Sequence, residues 1–93
     1  IVLCSKGYPG HYKKNKIIKN LDNINLTKKD FLYHAGTISK NGNIFSDGGR
    51  VLNITSIGNS YFFIRKKIIS IIKSLDWKDG FFRRDIGWKV IKK

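Results

Sequence analysis

The sequence contains no methionine and no glutamate, and only one proline and one cysteine among its 93 residues. Each shortage excludes something. Without a methionine, Ile1 is not a translation start, and the opening run Ile1-Val2-Leu3-Cys4 already reads as a strand, so the chain is expected to be a piece cut from a longer polypeptide. A lone Cys4 excludes an internal disulfide and fits a reducing compartment, so a cytoplasmic setting is expected. No apolar run approaches the ~20 residues needed to cross a bilayer, and no membrane partner is expected. Six aspartates (22, 30, 47, 76, 79 and 85) and two histidines (11 and 34) are widely separated. They show neither metal-ligand spacing nor paired carboxylates for acid–base work. Cys4 lacks a neighbour that would mark it as a nucleophile, and neither a P-loop nor a dinucleotide fingerprint is present. The expectation is a chain with no catalytic residue and no metal ligand of its own.

What is present is charge and a modest core. Hydrophobic residues make up 41% and aromatic residues 13%, too many for a disordered tail. The length predicts a single small domain over residues 1–93 that buries roughly 60–65% of its unfolded surface. A net charge of +13 admits a competing reading, a small basic nucleic-acid-binding module. Against it, the composition is dominated by Lys, Ile and Asn, as AT-rich coding produces in any protein. The lysines are also spread along the chain, at 13, 14, 16 and 19, then 28 and 29, then 66, 67 and 73. No nucleic-acid partner is expected.

The pattern along the chain predicts an α+β fold, a small antiparallel β-meander packed by one main helix. Ile1 to Ser5 reads as a strand, and "KGYPGHYKKNK" as a loop in which Tyr8 and Tyr12 anchor on the core. Residues 17–29 have no sustained period. "DFLYHAGTIS" and "NIFSD" flank an Asn41-Gly42 pair, a strong hairpin signal. "RVLNITSIG" follows as a third strand, with Leu52, Ile54 and Ser56 facing one way and Val51, Asn53 and Thr55 the other. Asn59 or Ser60 then caps a helix whose Ile64, Ile68, Ile71, Ile72 and Leu75 form one stripe. "WKDGFFRRDIGW" is a turn and aromatic segment, and the tail "WKVIKK" is expected to add a short piece of helix.

Four clusters carry whatever chemistry exists. "GGR" at 48–50 offers bare backbone amides and a five-donor guanidinium suited to a phosphate or carboxylate. It reads equally as a glycine turn with Arg50 solvated. "HAGT" at 34–37 places small residues inside a strand, either for close approach of a ligand or another chain, or as a bulge. His34 there either makes a local hydrogen bond or takes part in catalysis. "GYPG" at 7–10 is a rigid turn or a lid-like contact. In "RRDIG" at 83–87, Asp85 is expected to pair with one arginine, leaving the other for an anion or a neighbouring domain.

In order and spacing, GYPG, HAGT before an Asn-Gly turn, SDGGRVL before a capped helix, and FRRDIG resemble the C-terminal domain of the phosphoribosylamine–glycine ligase family, within the ATP-grasp superfamily. The resemblance runs from about Ile1 to Trp88. It implies a ligase that joins glycine to 5-phosphoribosylamine through a glycyl phosphate, releasing ADP and phosphate. ATP and Mg²⁺ or Mn²⁺ would be held by the other domains. The implied partners are the N-terminal and ATP-grasp domains of the same chain and the two small substrates. By analogy with related enzymes, Gly48, Gly49 and Arg50 would contact the phosphoribosyl group, with Arg83 or Arg84 a second choice. Tyr8, His34 and Thr37 would line or brace the cleft. Three positions depart from the family: Lys6 and Asn53 where glycine is usual, and the bulky Tyr61, Phe62 and Phe63 at the helix start.

Overall fold

Asn41 and Gly42 both adopt positive φ, 52° and 80°, and close a hairpin. That is the backbone a two-residue turn between twisted strands requires, and Asn-Gly adopts it with least strain. The computed structural model describes residues 1–85. Within them run strands β1 (Val2–Ser5), β2 (Ile17–Ile18), β3 (Asp30–His34), β4 (Thr37–Lys40), β5 (Asn43–Ser46), β6 (Arg50–Ser56) and β7 (Gly80–Phe81), with one α-helix, α1 (Tyr61–Lys73). The expected tail helix lies outside the described residues.

The fold class is as expected, antiparallel β with one main helix, but the strands are divided between two sheets. The larger has the order β3-β6-β1-β7 and the smaller β2-β5-β4. Thus "DFLYHAGTIS" is two strands, and β5 pairs with β2 and β4 rather than continuing a meander into β6. The break lies at Ala35-Gly36. Both amides donate to the Val51 carbonyl, at 2.9 and 3.1 Å, which ends the β3–β6 ladder and turns the chain away. A Cβ on Gly36 would stand 2.6 Å from the Arg50 carbonyl oxygen, so only glycine passes there.

Strand β1 lies between β6 and β7, and its register on β6 slips: Val2 faces Asn53, Leu3 faces Leu52, and Cys4 faces Arg50. Val51 is the extra residue of a bulge. Because opposed residues share a face, the bulge puts Arg50 and Asn53 on one side although they are three apart. It also departs from the simple alternation expected for β6, since Val51 is as fully buried as Leu52 and Ile54.

Helix α1 begins at Ser60, whose Oγ accepts the Phe63 amide. Its stripe delivers Ile68 and Ile71 to the core of Leu3, Ile18, Val51, Leu52 and Ile54, with Ile64, Ile72, Leu75 and Trp77 packed around it. Isoleucine is a mediocre helix former, so this burial supplies most of the helix's stability. The helix is braced to the sheet through Asp30. Its carboxylate meets Lys67 Nζ at 2.9 Å and accepts from the Thr27 amide, the Thr27 hydroxyl and the Ser56 hydroxyl. Burial pushes the Asp30 carboxyl up, but those donors outweigh it and hold the group well below the ordinary carboxylate range.

Candidate functional site

The turn from β5 into β6 is pinned from one side by Ser5, which is buried at the end of β1. Its hydroxyl donates to the Gly48 carbonyl at 2.6 Å and its amide to the Gly49 carbonyl at 2.7 Å. In a trans peptide the C=O and N–H point opposite ways, so the Gly49 amide is directed away from Ser5. Among the described residues neither the Gly48 nor the Gly49 amide has a hydrogen-bond acceptor. Arg50 follows, exposed and without an ion pair among the described residues.

Three of the four sequence clusters converge here. The Tyr8 ring lies where a Cβ on Gly49 would stand, and the ring is itself backed edge-on by Tyr12, 6.2 Å between centroids. Gly36 packs against Gly48, and Asp47 donates its amide to the Gly36 carbonyl at 2.8 Å. Beyond Gly36, His34 Nδ1 and Thr37 Oγ1 are 2.9 Å apart, both at the point where the chain leaves the larger sheet. The glycines therefore have a structural duty: Gly49 admits Tyr8, and Gly48 and Gly36 let two segments cross. What the turn holds for an incoming group is the exposed Arg50 guanidinium and two amides without an acceptor among the described residues, half-buried at Gly48 and buried at Gly49.

Arg83 and Arg84 lie elsewhere. They follow the edge strand β7, which β1 separates from β6. Arg83 is engaged by Asp85 at 2.9 and 3.3 Å, as the sequence pattern led one to expect. The hydrogen bond to Asp85 raises the Arg83 pKa, and the same bond lowers that of Asp85. Arg84 stands over the Phe82 ring, 5.5 Å from its centroid. The last two residues of "RRDIG" lie outside the described residues.

Two residues near Arg50 escaped the sequence reading. Ser5 had no signal beyond a polar residue closing an apolar run. Cys4 stands across the ladder from Arg50 on one side and from Phe81 on the other. Burial pushes its thiol pKa up, and the Arg50 charge pulls the other way. The lysines are also less dispersed in space than along the chain. Lys6, Lys13 and His11 line one shallow depression, and Lys16, Lys19 and Lys78 line another that shares Asp79 with it. Among the described residues no three His, Cys, Asp or Glu side chains gather as metal ligands.

The family described as "Phosphoribosylglycinamide synthetase, C domain" matches residues 1–89. The chain belongs to that family. Similar curated proteins include the chloroplastic phosphoribosylamine–glycine ligase of Arabidopsis thaliana, 39% identical over 94 residues, covering 99% of this chain and 18% of that protein. The phosphoribosylamine–glycine ligase of Agrobacterium fabrum is 41% identical over 91 residues, covering 98% and 21%. Among solved structures, the crystal structure of the Thermotoga maritima phosphoribosylamine–glycine ligase superposes with a TM-score of 0.73 at 28% identity, over 91% of this chain and 20% of that one. The chain thus spans about a fifth of the length of the curated relatives it matches. These matches give the basic nucleic-acid module no support. No described helix of this C-domain is long and apolar enough to cross a membrane.

Proposed function

We propose that this chain is the C-terminal domain of a phosphoribosylamine–glycine ligase, and that its Gly48-Gly49-Arg50 turn receives the phosphate of 5-phosphoribosylamine. The observation that carries the reading is the pairing of Arg50 with the Gly48 and Gly49 amides, which among the described residues have no ion pair and no acceptor respectively, in a chain that belongs to this family. Backbone amides and a guanidinium together make a preorganised anion site, and Arg matches phosphate geometry with two parallel donors. Tyr8 packs on Gly49 and holds the turn in shape, while His34 and Thr37 brace its flank. Arg84 is the weaker second candidate, and Arg83 is already neutralised by Asp85.

The parent enzyme joins glycine to 5-phosphoribosylamine in purine biosynthesis, in the cytoplasm, with ATP hydrolysed to ADP and phosphate. ATP and its Mg²⁺ or Mn²⁺ supply glycyl activation when bound, and they belong to the other domains of the polypeptide. What this domain contributes is substrate position and charge neutralisation, which such a transfer needs more than a further acid or base. The test is ADP release from the protein of the complete reading frame. Release that requires both glycine and phosphoribosylamine is expected. ADP release from folded protein that ignores either substrate would overturn the reading.

A further inference from the structure

Strand β6 carries Arg50 at one end and Ser56 at the other, and the Ser56 end has a surface of its own. There Asp30 opposes Ser56, so the turn before β3 and the tip between β6 and α1 lie side by side. The Ile57 amide donates to the Lys29 carbonyl at 3.0 Å, and Lys67 Nζ donates to the Thr27 hydroxyl at 2.9 Å. On this tip Ile57, Tyr61, Phe62 and Phe63 are all exposed, Phe63 by 68%, and Leu26 is exposed beside Thr27. The first turn of α1 holds no acid, although the helix dipole favours one there. Each aromatic instead has a cation four residues on, its neighbour on the helix surface: Arg65 after Tyr61, Lys66 after Phe62 and Lys67 after Phe63. Lys67 is held by the buried Asp30, and Arg65 is half-buried in the field of Asp85. Lys28, Lys29 and Lys66 are exposed and have no ion pair among the described residues. Residues 23–29 and 57–75 contain no acidic side chain.

We propose that this tip is a peripheral docking site for an anionic lipid surface, which Ile57, Phe62 and Phe63 enter while Lys28, Lys29 and Lys66 lie among the headgroups. Apolar anchors backed by basic residues hold a protein in the membrane interface without crossing it, and the shortage of long apolar runs excludes only a crossing. Charge decides the partner. A second copy of the chain would set the same cations against each other across a symmetric contact. Nucleic acid would suit the cations, but Phe62 and Phe63 stand edge to face at 80°, which gives successive bases no parallel platform. Lipid satisfies both halves of the surface. Its acyl chains take the apolar side chains, and each lysine at an anionic surface strengthens binding by about fivefold. The contact lies at the far end of β6 from Arg50, so it leaves the Gly48–Arg50 turn clear and does not depend on which anion that turn receives.

The test is sedimentation of the protein of the complete reading frame with vesicles of phosphatidylcholine, alone or with a third of the lipid replaced by phosphatidylglycerol. Binding is expected to be at least roughly tenfold tighter to the mixed vesicles and to weaken with added salt. Phe62→Ser combined with Phe63→Ser should lower it at least roughly tenfold. Lys28→Gln combined with Lys29→Gln should do the same, and either double variant should keep ADP release within about twofold of the parent. If the phenylalanine variant melts early, the lysine variant carries the test alone. Equal binding to the two vesicles, or none, overturns the proposal. Binding that both variants retain also overturns it, because the contact would then lie elsewhere on this basic chain. A phenylalanine variant that loses self-association but not vesicle binding overturns it in favour of a second copy, and one that loses only oligonucleotide binding in favour of nucleic acid. ADP release measured without lipid tests the ligase reading, so the two readings fail separately.

Discussion

The ring of Tyr8 occupies the space that a side chain at residue 49 would need. Gly49 is buried beneath it, so the contact fixes the height of the turn that leads to Arg50. Gly49→Ala is expected to lower unfolding free energy by about 1–3 kcal/mol, the usual range for overpacking. Tyr8→Ala removes the obstacle, so the double variant should be less destabilised than the two singles summed, with a coupling of about 0.5–3 kcal/mol. Denaturant titration of the full-length protein and its three variants closes this cycle. Additive losses would mean that the ring and the glycine do not share the space.

Arg50→Ala is expected to raise the KM for phosphoribosylamine by roughly tenfold to a hundredfold, the size of one charged hydrogen bond at about 1.5–3 kcal/mol. The melting temperature should hardly move, since the side chain is exposed and unpaired among the described residues. Arg50→Lys should recover only part, because an ammonium cannot present two parallel donors. Arg83→Ala is the comparison, and its KM should stay within twofold. If stability falls while the KM holds, Arg50 is an interdomain brace rather than a substrate contact.

The elements with local chemistry were legible in the sequence. Asn41-Gly42 announced its hairpin, Ser60 its cap, and the isoleucine spacing its buried stripe. Illegible were the features that depend on distant segments meeting. No local signal tells that β1 will lie between β6 and β7, both far along the chain, or that Ala35-Gly36 will lend both amides to Val51 and divide one strand into two. The same holds for the site. GYPG, HAGT and GGR stood out because glycine is costly without a reason. Part of that reason proved to be each other: Tyr8 against Gly49, and Gly36 against Gly48. A cluster of glycines marks close approach, and sequence alone does not say whether the visitor is a ligand or the protein's own chain.

Asp30 gives the fold a pH dependence of definite sign. Its carboxyl is held below the ordinary 3.8 in the folded chain, where the Lys67, Thr27 and Ser56 donors outweigh the opposing effect of burial. The stabilisation is therefore fully present above about pH 5 and lost as the pH falls through the lower folded value. Urea midpoints at pH 7, 5 and 3 should fall most between 5 and 3. Asp30→Asn should lie below the parent at pH 7, by about 1–3 kcal/mol for donors left without their charged acceptor. Its loss between pH 5 and 3 should be smaller than the parent's. Parallel curves for the two proteins would show that other carboxylates set the acid limb.

Ser5 separates the shape of the turn from its charge. Its hydroxyl and amide hold the two carbonyls of Gly48 and Gly49, and this orientation turns the Gly49 amide outward. Ser5→Ala removes only the hydroxyl, leaving the Gly48 carbonyl without its donor at the price of about 1–2 kcal/mol of stability. If the amides take part in phosphate binding, the loosened turn should also raise the KM for phosphoribosylamine severalfold with Arg50 intact. The Ser5→Ala and Arg50→Ala effects on KM should then fall short of additive when combined, because both act on one ligand group. Ser5→Thr keeps the hydroxyl and should restore KM at the cost of crowding β1. A Ser5→Ala variant that melts earlier but binds as the parent does would leave Arg50 as the sole anion contact of the turn.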